Sequence, residues 1–502
     1  MKASFVIDLD FQISQVDERL FGSFVEHLGR CVYSGIYEEG HKTADDEGFR
    51  TDVIELVKDL QVPIIRYPGG NFVSAYNWED GIGPKEKRPT RLDLAWRTIE
   101  PNTFGLNEFM AWSKKAKTSA LMCVNLGTRG IDDARNIIEY CNLERGTYYS
   151  DLRREHGIEK PYNIKTWCLG NEMDGPWQIG HKTASEYGRL AAEAGKAMKL
   201  VDPSIELVSC GSSKYIMPTF PEWEVETLEH TYDVADYISM HNYYGNWDGN
   251  TPEYLALNLE MEDFINTVKA ACDYVKAKKR SSKTMMICFD EWNVWFHNKV
   301  EDKKRMREGI IPTATALLEE HYTHEDALLV GSLLISLLKN ADRVKIACIA
   351  QLVNVIAPII AEKDGVAWRQ TIYFPLQQVS NHGRGIVLEP MLTSPTYTSE
   401  RFGVVNFIES IAVHKPDEQE VVVFAVNRNL DQSLDLEIDM RVVDCESIIE
   451  HTSMTAENVS DMNSSAGELV HPQNSDDHHV EKHKIVLTLP KASWNMVRFR
   501  IC

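Results

Sequence analysis

Residues 164–172 read IKTWCLGNE: a short apolar run that ends on glycine, asparagine and glutamate. The run has the length and the aromatic and β-branched content of a buried strand, and Gly170-Asn171-Glu172 breaks it to leave a carboxylate at its carboxyl end. Seven more runs of this kind fill the first three-quarters of the chain: LFGSFVEH (20–27), VPIIRYPGGN (62–71), ALMCVNLGTRG (120–130), IELVSCGSS (205–213), YISMHNYYG (237–245), TMMICFDEWN (284–293) and KIACIAQLVN (345–354). Helical periodicity appears between most of them, at 52–60, 106–116, 133–141, 184–201, 264–279 and 326–340. Strands that alternate with helices and are apolar throughout, not on one face only, predict a parallel sheet buried on both sides. Eight of them predict a (β/α)8 barrel, an α/β fold.

The polar residues support the same topology. Each run carries its reactive group at the carboxyl end: Glu26, Asn71, Asn125, Glu172, Ser212, His241 with Tyr243, Glu291 and Gln351. In a barrel those ends converge on one mouth, where such folds build their sites. Past about residue 385 the pattern changes to alternating strands at 420–429, 435–443, 484–490 and 493–501, which predict an antiparallel β-sandwich of jelly-roll type. The first seventeen residues are strand-like too. The expected division is a barrel over 18–384 and a sandwich built from 1–17 with 385–502. The polar stretch 457–479 is expected to be a long loop.

Composition narrows the function. The chain has 502 residues, 43% hydrophobic and 25% charged, with a net charge of −22; this surface repels phosphate backbones and anionic lipids, so neither nucleic acid nor membrane is an expected partner. The N-terminal MKASFVIDLDFQIS places Asp8 and Asp10 where a signal peptide needs unbroken apolar sequence, which predicts a cytoplasmic protein. Ten cysteines are scattered singly without metal-binding spacing, as expected of free thiols in a reducing compartment. HYTHED (321–326) lacks the HExxH spacing, and Asp476 to His479 lie in the polar stretch, where they are expected to be solvated. No metal and no cofactor is expected.

Glu172 and Glu291 stand apart because each ends an apolar run and each is followed by aromatics, Trp177 for one and Trp292 and Trp295 for the other. A glutamate closing a strand commonly does no more than accept turn hydrogen bonds or pair with arginine. Two of them at one barrel mouth, beside flat apolar rings, match what cleavage of a glycosidic bond needs: one carboxyl group to protonate the leaving oxygen and another, ionised, as nucleophile or base. Gly69-Gly70 before Asn71 points to a backbone that another group approaches closely. Arg66 is expected to be structural or to pair with a pocket carboxylate.

The strings FVEHLGRCVYSGIYE (24–38), RYPGGNFVSAYNWEDGIGP (66–84), NLGTRGIDDARN (125–136), WCLGNEMDGPWQIGHK (167–182), HNYYGN (241–246), FDEWNVWFH (289–297) and AQLVNVIAPI (350–359) resemble those of the family 51 glycoside hydrolases, the α-L-arabinofuranosidases, over nearly the whole chain. The resemblance implies a retaining, exo-acting enzyme that removes arabinofuranose from arabinan- or arabinoxylan-derived oligosaccharides. It assigns Glu172 as acid/base and Glu291 as nucleophile. It gives Glu26, Asn71, Asn171, Tyr243 and Gln351 to the sugar and implies a homohexamer; within the substrate-binding set Tyr243 is also expected to orient Glu291, His241 to tune the acid side, and Trp96, Trp177 and Trp295 to form the leaving-group side. Asn242 departs from the pattern, since close relatives often carry glutamine there, and this bears on substrate preference. The rival readings are an endo-xylanase or endo-glucanase on the same barrel, or a carbohydrate-binding protein without activity.

Overall fold

The computed structural model describes residues 1–502 except 308 and 442. Eight parallel strands close into a barrel, each paired with its neighbours in chain order. They are β1 Gly22–Phe24, β2 Ile64–Tyr67, β3 Ser119–Cys123, β4 Thr166–Leu169, β5 Glu206–Ser209, β6 Tyr237–Tyr244, β7 Met286–Val294 and β8 Val344–Ile349. One principal helix follows each strand: α1 Thr51–Asp59, α2 Leu106–Ala116, α3 Ile131–Asn142, α4 Ala184–Val201, α5 Glu222–Thr231, α6 Asn258–Lys279, α7 His324–Lys339 and α8 Tyr373–His382. Each of the eight strands lies in the apolar run that predicts it, three of them overrunning it by one residue (Ser119, Val294 and Val344), and the expected (β/α)8 architecture is the observed one.

The barrel interior is small and partly sulfur-lined: Ile64, Leu121, Cys123, Cys168, Val208, Cys288, Ile346 and Cys348 pack together there. Cysteine suits this space because it is compact and apolar. All ten cysteines are free.

Two sheets make up the sandwich. One has five strands, ordered Met391–Thr393, Lys2–Val6, Leu434–Asp439, Lys484–Leu489 and His478–Glu481. The other has seven and includes Gln12–Gln15, Ile408–Lys415, Glu420–Asn427, Ser493–Ile501 and Cys445–Met454. Lys2–Val6 lies antiparallel to 391–393 but parallel to 434–439, so the sandwich is mostly, not wholly, antiparallel. Helix α7 is buried along nearly its whole length because the barrel lies on one side of it and the seven-stranded sheet on the other. Its sequence, HEDALLVGSLLISLLK, is accordingly apolar on every face.

The stretch 457–479 corrects an expectation, because it is not simply a loop. Gln473–Asn474 adds a short strand to 445–454, and His478 opens a strand paired with 484–489. Upstream, the carbonyls of Val459 and Asp461 accept hydrogen bonds from the amides of Glu325 and His324 at 2.9 and 2.8 Å. These are first-turn amides of α7 that lack partners within the helix, so a polar, turn-rich segment supplies acceptors that a buried helix end requires.

Candidate active site

The carboxyl ends of the strands surround one cavity of about 370 Å³, lined among others by Glu26, Asn71, Trp96, Glu172, Trp177, Tyr243, Glu291, Trp295 and Gln351. Nine of the eleven site residues anticipated from the sequence therefore share one surface. The other two, Asn171 and His241, are buried and stand behind it against the carboxylates. Two further strand-tip residues do not join. Asn125 accepts from the amides of Gly127 and Thr128, closing a turn, and the Ser212 amide donates to Glu224 at 2.7 Å.

The tip of β4 explains how Glu172 is presented. Gly170 has φ +92°, which suits glycine, and Glu172 has φ +44°, a left-handed conformation that costs a residue with a side chain free energy. The Gly175 amide holds the turn by donating to the Glu172 carbonyl at 2.8 Å. The Glu172 side chain then accepts from Trp177 Nε1 at 2.6 Å and lies 3.1 Å from His241 Nδ1.

Glu291 is held from the opposite side. Arg66 Nη1 donates to its Oε2 at 2.8 Å and the Tyr243 hydroxyl to its Oε1 at 2.8 Å. The same guanidinium reaches Asn171 Oδ1 at 2.6 Å and pairs with Asp290 at 2.9 Å. Arg66 is thus the charge partner the sequence pointed to, and it fixes the nearest neighbours of both glutamates. Asp290 also lies 3.3 Å from His241 Nε2.

These contacts set the protonation states. Burial alone would lower the His241 pKa, but the Glu291 charge and the bonds to Asp290 and Glu172 reverse that and raise it to about 10, so the ring is an imidazolium at neutral pH. Burial pushes the Glu172 carboxyl up, yet His241 and Trp177 outweigh it and hold the group below its ordinary range. At Glu291 burial also raises the pKa; the His241 charge opposes this, the adjacent Glu172 charge adds to it, and the group titrates above its ordinary range. Glu172, His241 and Glu291 bring donor atoms within 4.8 Å of one another, a set that could hold a cation. Arg66 and the protonated ring already place positive charge there, and an imidazolium has no lone pair to offer a metal.

Glu26 and its neighbours form another wall. Its carboxyl accepts from the Phe72 amide at 2.9 Å, Trp96 Nε1 at 3.0 Å and Gln351 Nε2 at 3.1 Å. A Cβ on Gly69 or Gly70 would stand 2.7 Å from this side chain, so the paired glycines make room for Glu26.

Sequence reasoning misses four residues of the site. Asp290 lies within the quoted FDEWN string, overshadowed by the glutamate beside it. Lys214, Lys299 and Lys303 line the cavity from segments that carry no periodic or motif signal. Lys214 and Lys299 also cover ring faces of Trp177 and Trp295, at 4.2 and 4.1 Å from the centroids.

Comparison with known proteins agrees with this geometry. Residues 56–254 match the α-L-arabinofuranosidase 1 domain and residues 290–493 the α-L-arabinofuranosidase C-terminal domain. The chain is 56% identical to an intracellular exo-α-(1→5)-L-arabinofuranosidase of Halalkalibacterium halodurans and 54% identical to one of Acetivibrio thermocellus, with 99% of both chains covered in each case. A solved family 51 α-L-arabinofuranosidase from Bifidobacterium longum superposes with a TM-score of 0.95 at 43% identity, again over 99% of both chains. With two domain matches along its length, and relatives more than half identical from end to end, the chain belongs to the family 51 α-L-arabinofuranosidases, which are glycoside hydrolases.

Proposed function

We propose that this protein is a retaining, exo-acting α-L-arabinofuranosidase that removes terminal arabinofuranosyl residues from oligosaccharides, with Glu291 as nucleophile and Glu172 as acid/base. The observation that carries the reading is the pair itself: carboxylate oxygens of Glu172 and Glu291 lie within 4.8 Å of each other in one cavity. Retaining hydrolysis needs carboxyl groups about 5–5.5 Å apart, whereas inversion leaves room for a water at roughly 6.5–9.5 Å. In the first step Glu291 attacks the anomeric carbon while Glu172 protonates the departing oxygen; in the second Glu172 deprotonates the water that releases the sugar.

The Glu291 carboxyl titrates above its ordinary range and the Glu172 carboxyl below it, the reverse of the order in which the reaction uses them. A bound glycoside would reverse that order. The electron-poor anomeric carbon favours an ionised Glu291, and the glycosidic oxygen favours a protonated Glu172. His241 Nδ1 lies 3.1 Å from one carboxylate and 3.5 Å from the other, which suits it to carry the proton across. Glu26, Asn71 and Gln351 would hold the furanose hydroxyls, and Asn171, fixed by Arg66, would address the 2-hydroxyl.

The relatives' names support an α-1,5 linkage and an intracellular location for this chain as well, and no helix among the described residues is long and apolar enough to cross a membrane. The reading includes a barrel over 18–384 and a sandwich from 1–17 with 385–502. It also includes the homohexamer implied by the family, which light scattering tests by a mass near six chains. Hydrolysis of an aryl α-L-arabinofuranoside by wild type, Glu172→Ala and Glu291→Ala, each with and without azide, tests the roles. Glu172→Ala should lose on the order of 10²–10⁴-fold on a poor leaving group and far less on a good one. It should also form an arabinosyl azide of retained configuration. Full activity of Glu172→Ala on the poor leaving group would refute the assignment.

A further inference from the structure

Three lysines stand on the open side of the cavity, in a chain whose net charge is −22. Lys214 Nζ lies 4.2 Å from the centroid of Trp177. Lys299 Nζ lies 4.1 Å from that of Trp295 and 5.1 Å from that of Trp247. Lys303, one turn further along the helix Lys299–Arg307, lines the same space. Elsewhere on the molecule ordered lysines meet carboxylates: Lys115 reaches Asp45 at 2.6 Å, Lys199 reaches Asp236 at 2.8 Å and Lys269 reaches Asp342 at 3.1 Å. Among the described residues no ion pair engages any of the three rim lysines. Burial, and then the charges of Lys214 and Lys303, push the Lys299 ammonium down to about 8.

An acidic protein has carboxylates to spare, yet these ammonium groups lie on or beside indole faces and repel one another with no carboxylate in ion-pair contact among the described residues. Trp177 marks which side of the cavity this is. Its Nε1 donates to Glu172, the group proposed to protonate the leaving oxygen, so Lys214 and its neighbours face the part of the substrate that departs. We propose that this rim binds the carboxylate of a uronic acid on the leaving-group side, so that acidic arabinofuranosylated oligosaccharides are cleaved in preference to neutral ones. The proposal rests on the function given above and names the substrate class of that site. Lysine fits such a rim, because a compact charge on a flexible stem follows a carboxylate whose position varies with linkage, where a fixed bidentate clamp would call for arginine. The rim also reverses the sign of the local field, so an anion repelled by the rest of the surface is drawn to the mouth.

The competing role for these lysines is to balance the pocket's own carboxylates, and Lys214 does lower the Glu172 pKa. Lys299 and Lys303 are therefore the positions to change. The measurement is kcat/KM for a neutral arabinofuranosyl oligosaccharide and for one of equal size bearing a uronic acid beside the cleaved bond. Wild type should favour the acidic substrate by on the order of tenfold at low ionic strength, and by less as salt screens the rim. Lys299→Met combined with Lys303→Met should bring the ratio near one, and Lys299→Arg with Lys303→Arg should keep it. A wild-type ratio of one, or a ratio the methionine variant leaves unchanged, would overturn the proposal while leaving the arabinofuranosidase reading intact. Release of arabinose from neither substrate would overturn that reading, and this one with it.

Discussion

Glu26 shows how burial alone changes what a carboxyl group is. The residue is 2% exposed, and desolvation, opposed by the Phe72 amide and reinforced by the Glu291 charge, pushes its pKa to about 8. At neutral pH it is therefore mostly the neutral acid. Gln351 Oε1 is buried without a partner; turning that amide end for end lets it accept a hydrogen bond from the protonated Oε2. The linkage sign follows. Unfolded, Glu26 ionises near its ordinary 4.5, so between about 4.5 and 8 the unfolded chain has lost a proton that the folded chain keeps. Stability from this group is complete below the lower value and lost as pH rises through the upper one. Glu26→Gln, which mimics the neutral acid, should flatten that fall by a few kcal/mol, on the order set by about 1.4 kcal/mol per unit. Urea unfolding of both proteins at pH 5 and pH 8 checks it, and equal losses would mean that Glu26 is ionised in the fold. At this scale Glu172 and Glu291 are legible in the sequence because each ends an apolar run. Asp290 and Lys214 are not, because their partners come from distant segments that only the closed barrel brings together, and Lys299 and Lys303 are not, because they lie in a nearly all-charged helix without a motif.

Among the elements, the strand tips decide the site, and the turn after β2 packs directly on one of its carboxyl groups. A Cβ on Gly70 would sit 2.7 Å from Glu26 Oε2, and Glu26 is boxed in by Trp96, Phe72 and Gln351. Gly70→Ala should therefore displace Glu26, with a loss of about 1–3 kcal/mol in stability from overpacking and at least tenfold in kcat/KM. Kinetics beside thermal unfolding separate the two effects, and an unchanged kcat/KM would show that Glu26 has room to move. The strands and six of the barrel helices are readable because period and apolarity coincide with burial. Two helices are not. Helix α8, YFPLQQVSNH, carries Pro375 in its first turn, where proline is tolerated although it reads as a breaker. Helix α5 begins just after Pro221, and its EWEVETLEHT sequence has only a weakly apolar face. The helix Lys299–Arg307 is nearly all charged, so no periodicity marks it.

For the molecule as a whole, the question is what fixes the sandwich to the barrel. Part of the answer is apolar contact: Trp494 packs on Gly331 of α7, where a Cβ would lie 2.5 Å from its ring. At the carboxyl end of α7 the seam is ionic. Glu409, on a sandwich strand, is buried between Lys339, the last residue of α7, and Arg428, whose Nη2 reaches it at 2.9 Å and Asn258 of α6 at 2.7 Å. Burial would raise the Glu409 pKa, but Lys339 and Arg428 outweigh it and hold the group below its ordinary range. Such a group adds stability that is present above its unfolded pKa and lost as pH falls through the depressed folded value, so acid should loosen the seam. Glu409→Gln keeps the shape and removes the charge, leaving the buried Arg428 without its carboxylate while Lys339 keeps Glu262 at 3.4 Å. It should cost about 3–5 kcal/mol, the usual penalty for breaking a buried ion pair on one side, and this part of the acid sensitivity should vanish with it. Scanning calorimetry at pH 7 and at mildly acidic pH checks both. A variant as stable as wild type at pH 7 would show that the apolar contact holds the two units without help from the ions.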